Sequence, residues 1–281
     1  EIEADFIDNG AIINYYNVYD FDLEVTLNQV GFPIPTSEIR TSPLVIDLDN
    51  NGSKEIIFGD YNGLIHIYNV DGTDYISDEF PFETGNQIWG SPAAGDLNND
   101  GYLEFVIPSK NKHLYIFDYS GLILDYETDT YLIGSPSIGN LDADPELEIV
   151  FSGYSSNNKI YAINLDGSDV DGFPLYIGEK TKAGPALADF NNNGRDDIVI
   201  GTDDNNLFLF FDNGTIAPGF PFIANDKFQT SPSILDNGIE KVIWVGNNDN
   251  HIYAIGQTGE LIYSLLVDDK INSSPSFINV D

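Results

Sequence analysis

Apolar residues in this chain fall in short runs rich in Ile, Val, Leu, Phe and Tyr, set between clusters of Gly, Asn, Asp, Ser and Pro. In the first full unit Leu44-Val-Ile46 leads into an acidic loop and Glu55-Ile-Ile-Phe58 leaves it. Gly59-Asp-Tyr-Asn-Gly63 turns the chain, Leu64-Ile-His-Ile-Tyr68 forms a third run, residues 69–73 turn again, and a fourth run ends near Ile88-Trp89. Short β-branched and aromatic runs bounded by turn residues predict strands, and within this unit no segment free of Gly, Pro and Asn is long enough for a helix. Each unit therefore predicts four strands joined by three tight turns.

The unit repeats. Pro43, Pro92, Pro136, Pro185, Pro232 and Pro275, each behind Ser or Gly, open successive copies at steps of 49, 44, 49, 47 and 43 residues. A period in the mid-forties fits a four-stranded propeller blade, and the absence of helical spacing removes a helical repeat of similar length. The second strand recurs at Phe105-Val-Ile107, Ile149-Val-Phe151, Ile198-Val-Ile200 and Val242-Ile-Trp244. The third strands carry a column, His66, Tyr115, Tyr161, Phe208 and Tyr253, each six residues before a turn glycine. That column is assigned to packing between blades, His66 included. Gly-Phe-Pro at Gly31, Gly172 and Gly219 is read as the opening of the fourth strand.

Between the first and second strands, four units share one loop template with oxygen side chains at positions 1, 3, 5 and 9. The sets are Asp47, Asp49, Asn51 and Glu55; Asp96, Asn98, Asp100 and Glu104; Asn140, Asp142, Asp144 and Glu148; and Asp189, Asn191, Asn193 and Asp197. Carboxylates and amides in this pattern suit a hard cation, with a backbone carbonyl at position 7 (Ser53, Tyr102, Glu146, Arg195) as a further ligand. Gly52, Gly101 and Gly194 at position 6 allow a left-handed turn. Three to four calcium ions are therefore expected, and without them the clustered acids would repel one another. The copies differ: Pro145 replaces the glycine of loop three, and loop four holds only Asp189 and Asp197 as carboxylates on the template. In the fifth unit Leu235-Asp-Asn-Gly238 is too short for the template and predicts a tight metal-free hairpin.

Ser-Pro, an apolar strand, Asp-x-Asp/Asn-x-Asn/Asp-Gly, an Ile/Val strand and Gly together resemble the FG-GAP/VCBS repeats of integrin-α-like β-propellers, over about residues 42–273. The resemblance implies an all-β propeller in which the calcium loops are structural. It also implies a noncatalytic interaction or adhesion module of a secreted or cell-surface protein.

Residues 1–41 read as the later strands of one blade, and residues 274–281 as the first strand of the same blade. With units at 42–90, 91–134, 135–183, 184–230 and 231–273, the expectation is a single domain of six blades with one composite blade. Closing the ring in this way would remove two unpaired sheet edges.

The formal charge of -35 excludes a nucleic acid partner, and four calcium ions would still leave -27. There is no cysteine, hence no disulfide or thiolate site, and no apolar run long enough to insert in a membrane. The absence of methionine, even at position 1, reads as a mature product or a piece of a larger polypeptide.

Alternation of the strands places a second set of loops opposite the calcium loops. The residue two before each Ser/Gly-Pro pair is Arg40, Trp89, Ile133, Lys182, Gln229 and Asn272, a column that changes chemistry in every unit. Such a column is free of the packing constraint and is a candidate ligand face for a protein or glycan, with Arg40, Trp89, Lys182, His113, Tyr154 and His251 as its candidate residues. No nucleophile motif, nucleotide loop or zinc spacing marks an enzyme. A carbohydrate-active lyase or hydrolase with its site at the channel mouth, and a structural accessory domain of an exported protein, stand as alternatives.

Overall fold

The computed structural model describes residues 31–75 and 79–277, together with the backbone of strands Glu3–Asp8 and Ala11–Tyr16. Those two N-terminal strands pair antiparallel, Glu3 opposite Tyr16. Among the described residues there is no helix, and five antiparallel sheets of four strands follow in chain order.

Sheet one comprises Leu44–Ile46, Glu55–Gly59, Leu64–Asn69 and Phe82–Glu83. Sheet two comprises Ala93–Gly95, Glu104–Pro108, His113–Asp118 and Gly121–Glu127. Sheet three comprises Ser137–Gly139, Glu148–Ser152, Lys159–Ile163 and Leu175–Tyr176. Sheet four comprises Ala186–Ala188, Asp197–Gly201, Asn206–Phe210 and Phe222–Ile223. Sheet five comprises Ser233–Asp236, Lys241–Gly246, His251–Gly256 and Leu261–Leu266.

The fourth strands differ for a reason visible in the chain. Sheets one, three and four carry Phe80-Pro81, Phe173-Pro174 and Phe220-Pro221 just before them, and a proline has no N–H to give to the ladder, so only two residues pair. Sheets two and five lack that dipeptide, and their outer strands run seven and six residues, each with a register shift against the third strand.

The core lies between sheets. Side chains of a strand alternate between its two faces. In the second strand of sheet two, Phe105 and Ile107 accordingly join sheet one's Ile57 and Ile65, while Val106 joins sheet three's Ile149 and Phe151. The same division recurs between sheets three and four and between four and five. The third-strand column His66, Tyr115, Tyr161, Phe208 and Tyr253 is buried throughout. His66 stacks on Phe58 with its Nε2 3.1 Å from the buried Asp60, so its ring is fully engaged in packing.

Successive sheets are also tied by their inner ends. The backbone N–H of Ser42 donates to Ser91 Oγ, that of Ser91 to Ser135 Oγ, and that of Gly184 to Ser231 Oγ. The Ser-Pro pairs thus act as links between one inner strand and the next.

Candidate functional site

All four acidic loops close by one hydrogen-bond scheme. The position-3 side-chain oxygen accepts from the N–H of position 5, and the position-5 oxygen accepts from that of position 7. One oxygen of the position-9 carboxylate accepts from the N–H of position 2, which is Leu48, Leu97, Leu141 or Phe190. Loops one, two and four place Asn50, Asn99 and Asn192 in the left-handed region at φ 57–58° and the following glycine at φ 86–88°. In loop three neither Ala143 nor Pro145 has a positive φ, so proline is met by a different turn. That turn still brings Asp142, Asp144 and Glu148 together.

The second oxygen of position 9 separates the loops into two pairs. Glu55 and Glu148 are 0% exposed, and Oε1 of each has no hydrogen-bond partner. Asp47 Oδ1 and Asn140 Oδ1 in the same loops are likewise buried and unpartnered. Among the described residues, two groups of carboxylates converge to within 4.8 Å: Asp47, Asp49 and Glu55, and Asp142, Asp144 and Glu148. In loop two the amide of Asn98 donates to Asp100 and, at 3.4 Å, to Glu104. In loop four Asn191 and the N–H of Asp212 donate to Asp197, and the guanidinium of Arg195 pairs with Asp212 at 3.2 Å. Both oxygens of Glu104 and Asp197 thus receive donors, whereas in loop one the amide of Asn51 goes to Asp49, and Glu55 and Glu148 each keep one bare oxygen. Asp196 hydrogen-bonds loop three instead, accepting from the N–H of Asn140.

Burial pushes the carboxyls of Glu55, Glu104 and Glu148 up, the N–H of position 2 pulls them down, and neighbouring aspartates push up again; Glu148 reaches about 7. Burial likewise raises Asp197 to about 6 against three backbone N–H donors. A buried carboxylate oxygen without a donor is costly, and a cation coordinated by oxygen is the group that would satisfy it. Loops one and three therefore fit a hard divalent ion.

On the opposite side, the whole variable column surrounds one cavity of about 350 Å³: Arg40, Trp89, Ile133, Lys182, Gln229 and Asn272. A second cavity of about 390 Å³ adjoins it at Trp89 and Ile133 and adds Lys110, Tyr131 and Tyr154. Trp89 carries Arg40 Cζ 4.8 Å and Lys110 Nζ 4.1 Å from its ring centroid, a double cation–π arrangement. His113 and His251 lie apart from both cavities, paired with Asp125 and Asp249. Tyr131 is the residue the sequence reading passed over. It stands two before Ile133, at the position filled by Glu38, Gln87, Lys180, Lys227 and Lys270 in other units, which varies as much as the column itself.

The FG-GAP-like repeat profile matches residues 29–107, a span that includes sheet one, loop one and loop two. This segment is similar to an FG-GAP-like repeat. Comparison with curated protein sequences gives no match. Among solved structures, the chain is similar to BBS1N, crystallised in complex with ARL6DN and soaked with lead, at TM-score 0.59 and 15% identity, covering 85% of this chain and 70% of that one. The Vibrio cholerae biofilm matrix protein Bap1 is similar at TM-score 0.59 and 19% identity, over 81% of this chain but only 39% of Bap1. The C-terminal domain of Pseudomonas aeruginosa PilY1 is similar at TM-score 0.56 and 17% identity, over 74% of this chain and 60% of that domain. At such identities the likeness concerns fold and leaves function to the residues.

Proposed function

We propose that this FG-GAP-like chain is a calcium-stabilised, noncatalytic interaction module of a secreted or cell-surface protein. The observation that carries the reading is the pair of fully buried carboxylates, Glu55 and Glu148, each with an unpartnered oxygen inside a cluster of acids. Calcium would be held there by Asp47, Asp49 and Glu55 and by Asn140, Asp142, Asp144 and Glu148, and its role would be to fix the turn between the inner and second strands. Extracellular calcium concentrations suit weak oxygen-rich sites of this type. The Bap1 likeness is in keeping with a matrix or adhesion setting, and the carboxylate-free cavities at the variable column are the surface available to a partner. Thermal melts in calcium and in chelator test the reading. Identical melting curves would reduce the loops to solvated turns.

The same proposal includes a six-bladed ring. Gly31 lies against Asp71 and Gly72 of sheet one, as Gly172 lies against Asn213 of sheet four and Gly219 against Thr258 and Gly259 of sheet five. Tyr61 N–H donates to Glu38 O just as Lys110 N–H donates to Gln87 O. These contacts support reading residues 31–41 as the end of a preceding blade. At the other terminus Ser233 Oγ donates to Pro275 O as Ser137 Oγ donates to Pro185 O, and Phe277 packs on Trp244. The strand expected at 275–280 extends beyond the described residues, so its pairing with residues 1–30 belongs to this proposal. Deleting residues 274–281 should lower the melting temperature. No change on deletion would count against closure.

A further inference from the structure

The chain holds 46 Asp and Glu against 11 Lys and Arg, and the two cavities that meet at Trp89 reverse that balance. Arg40, Lys110 and Lys182 line them and no carboxylate does. At the chain's average composition their 18 lining residues would include about three acids, so the exclusion is a property of this surface. The cavity beside loops three and four follows the chain's bias instead, with five aspartates and Arg195. Arg40 is already paired with Glu38 at 2.8 Å, whereas among the described residues Lys110 and Lys182 form no ion pair. Lys110 Nζ is held 2.7 Å from Gln87 Oε1, over the ring of Trp89. Glu38 and Asp203 touch lining residues but are already engaged, Glu38 by Arg40 and Asp203 by Tyr154, Lys227 and Gln229. Two unpaired lysines in a hollow that no carboxylate lines, on so acidic a protein, are placed for an anion that comes from outside.

The floor narrows the class of anion. Trp89, Tyr131, Ile133 and Tyr154 give an apolar and aromatic surface, and Tyr131 is 50% exposed. The backbone N–H groups of Lys110 and Tyr154 are already given to Gln87 O and Tyr131 O, so neither is open to a peptide strand laid along this wall. Recognition must therefore come from side chains: aromatic faces for an apolar ring face, amides for hydroxyls, and cations for a fixed negative charge. A sugar ring bearing a carboxylate or sulfate has all three features.

We propose that the cleft centred on Trp89 binds a segment of acidic polysaccharide, a sugar ring lying on Tyr131 and Tyr154 and successive anionic groups met by Lys110 in one cavity and by Lys182 and Arg40 in the other. The proposal rests on the interaction-module reading and names its ligand class. The long-range field of the protein repels such a chain, but that field is screened within about 8 Å at physiological ionic strength, so contact with the local cations decides.

Calorimetry at fixed free calcium tests this with four probes: an oligogalacturonate, its methyl-esterified neutral counterpart, a sulfated heparin-type oligosaccharide and poly-glutamate. The expected result is binding of the uronate or the sulfated chain at least tenfold tighter than the neutral one, weakening as salt rises; which of the two binds identifies the anion. Combined Lys110→Gln and Lys182→Gln should cost at least tenfold in affinity, and Tyr131→Ala several-fold, with the calcium-dependent melting temperature unchanged. Equal affinity for the neutral chain, binding of poly-glutamate that Tyr131→Ala leaves intact, or no binding of any probe would each overturn the proposal. The parent reading fails separately, through melting that ignores calcium or through release of new sugar ends on incubation.

Discussion

Sheets one and three and sheet five make the same connection, from inner strand to second strand, with opposite chemistry. In sheets one and three the residue opposite the third position of the inner strand is a buried glutamate, Glu55 opposite Ile46 and Glu148 opposite Gly139. In sheet five that register position, opposite Leu235, is Val242. The loop there shrinks to residues 237–240, Gly238 turns at φ 80°, and Lys241 Nζ pairs with Asp236 at 3.3 Å. Sheet five shows that the blade closes without a buried carboxylate, and closes with a valine that carries no desolvation cost. A short hairpin thus makes this connection without a carboxylate, whereas in sheets one and three the glutamate receives the position-2 N–H through one oxygen and leaves the other bare.

Removing calcium is the widest way to break that contrast. A ligand at one hundred times its dissociation constant stabilises by about 2.7 kcal/mol per site, so two filled loops contribute about 5 kcal/mol. Chelation should then lower the melting temperature by ~10 °C or more, a loss sheet five cannot share. A single calorimetric titration that finds no calcium sites would contradict this directly.

Exchanging the chemistry comes next. Val242→Glu places a carboxylate in a hairpin that offers neither the acid cluster nor the donor of the longer loops. It should cost about 3–5 kcal/mol, with calcium giving no recovery. Glu148→Gln makes the converse change, keeping an acceptor for the Leu141 N–H while removing the charge. In chelator this variant should be more stable than the parent by about 1–3 kcal/mol, and in calcium less stable. Paired denaturation curves decide it, since loss of stability in both conditions would mean that Glu148 serves the fold alone.

The template at positions 1, 3, 5 and 9 was legible because oxygen side chains repeat at fixed spacing. The buried third-strand column was legible because a propeller packs one face of each blade on the next. The grading of the loops was not. It depends on where the amides of Asn98 and Asn191 turn, and on an Arg195–Asp212 pair formed between a loop and the end of a third strand. Three carboxylates together with glycine at position 6 pointed to loops one and two, but the oxygens left without donors are in one and three. Proline at 145 lowered the expectation for loop three, yet three carboxylates converge around a turn that needs no left-handed residue. On the opposite face the variable column was readable, while Tyr131 was hidden because its counterparts in other units are lysines, a glutamine and Glu38.

Acidity sharpens the same contrast on a smaller scale. Folding raises Glu148 from 4.5 to about 7 and Asp197 from 3.8 to about 6, so between these values the folded chain binds protons more tightly than the unfolded one. In chelator, stability should rise as pH falls from about 7 towards 4.5 and be lost as pH climbs back through 7. In calcium the sign reverses over that window, because protons then compete with the ion for Glu148. Melting temperatures at pH 5 and pH 7.5 with and without calcium give four values, and slopes of one sign in both conditions would remove the metal from loop three.

The smallest effect belongs to sheet five itself. Asp236 accepts from the Gly238 N–H through Oδ1 and meets Lys241 through Oδ2, at a side chain that is half exposed. Asp236→Asn keeps the first contact and removes only the charge of the second, which solvent already screens. Its melting temperature should stay within error of the parent, in calcium and in chelator alike. If Asp236→Asn instead abolished part of the calcium response, the short hairpin would be holding an ion of its own. Buried unpartnered oxygens would then no longer distinguish the loops that bind from the one that does not.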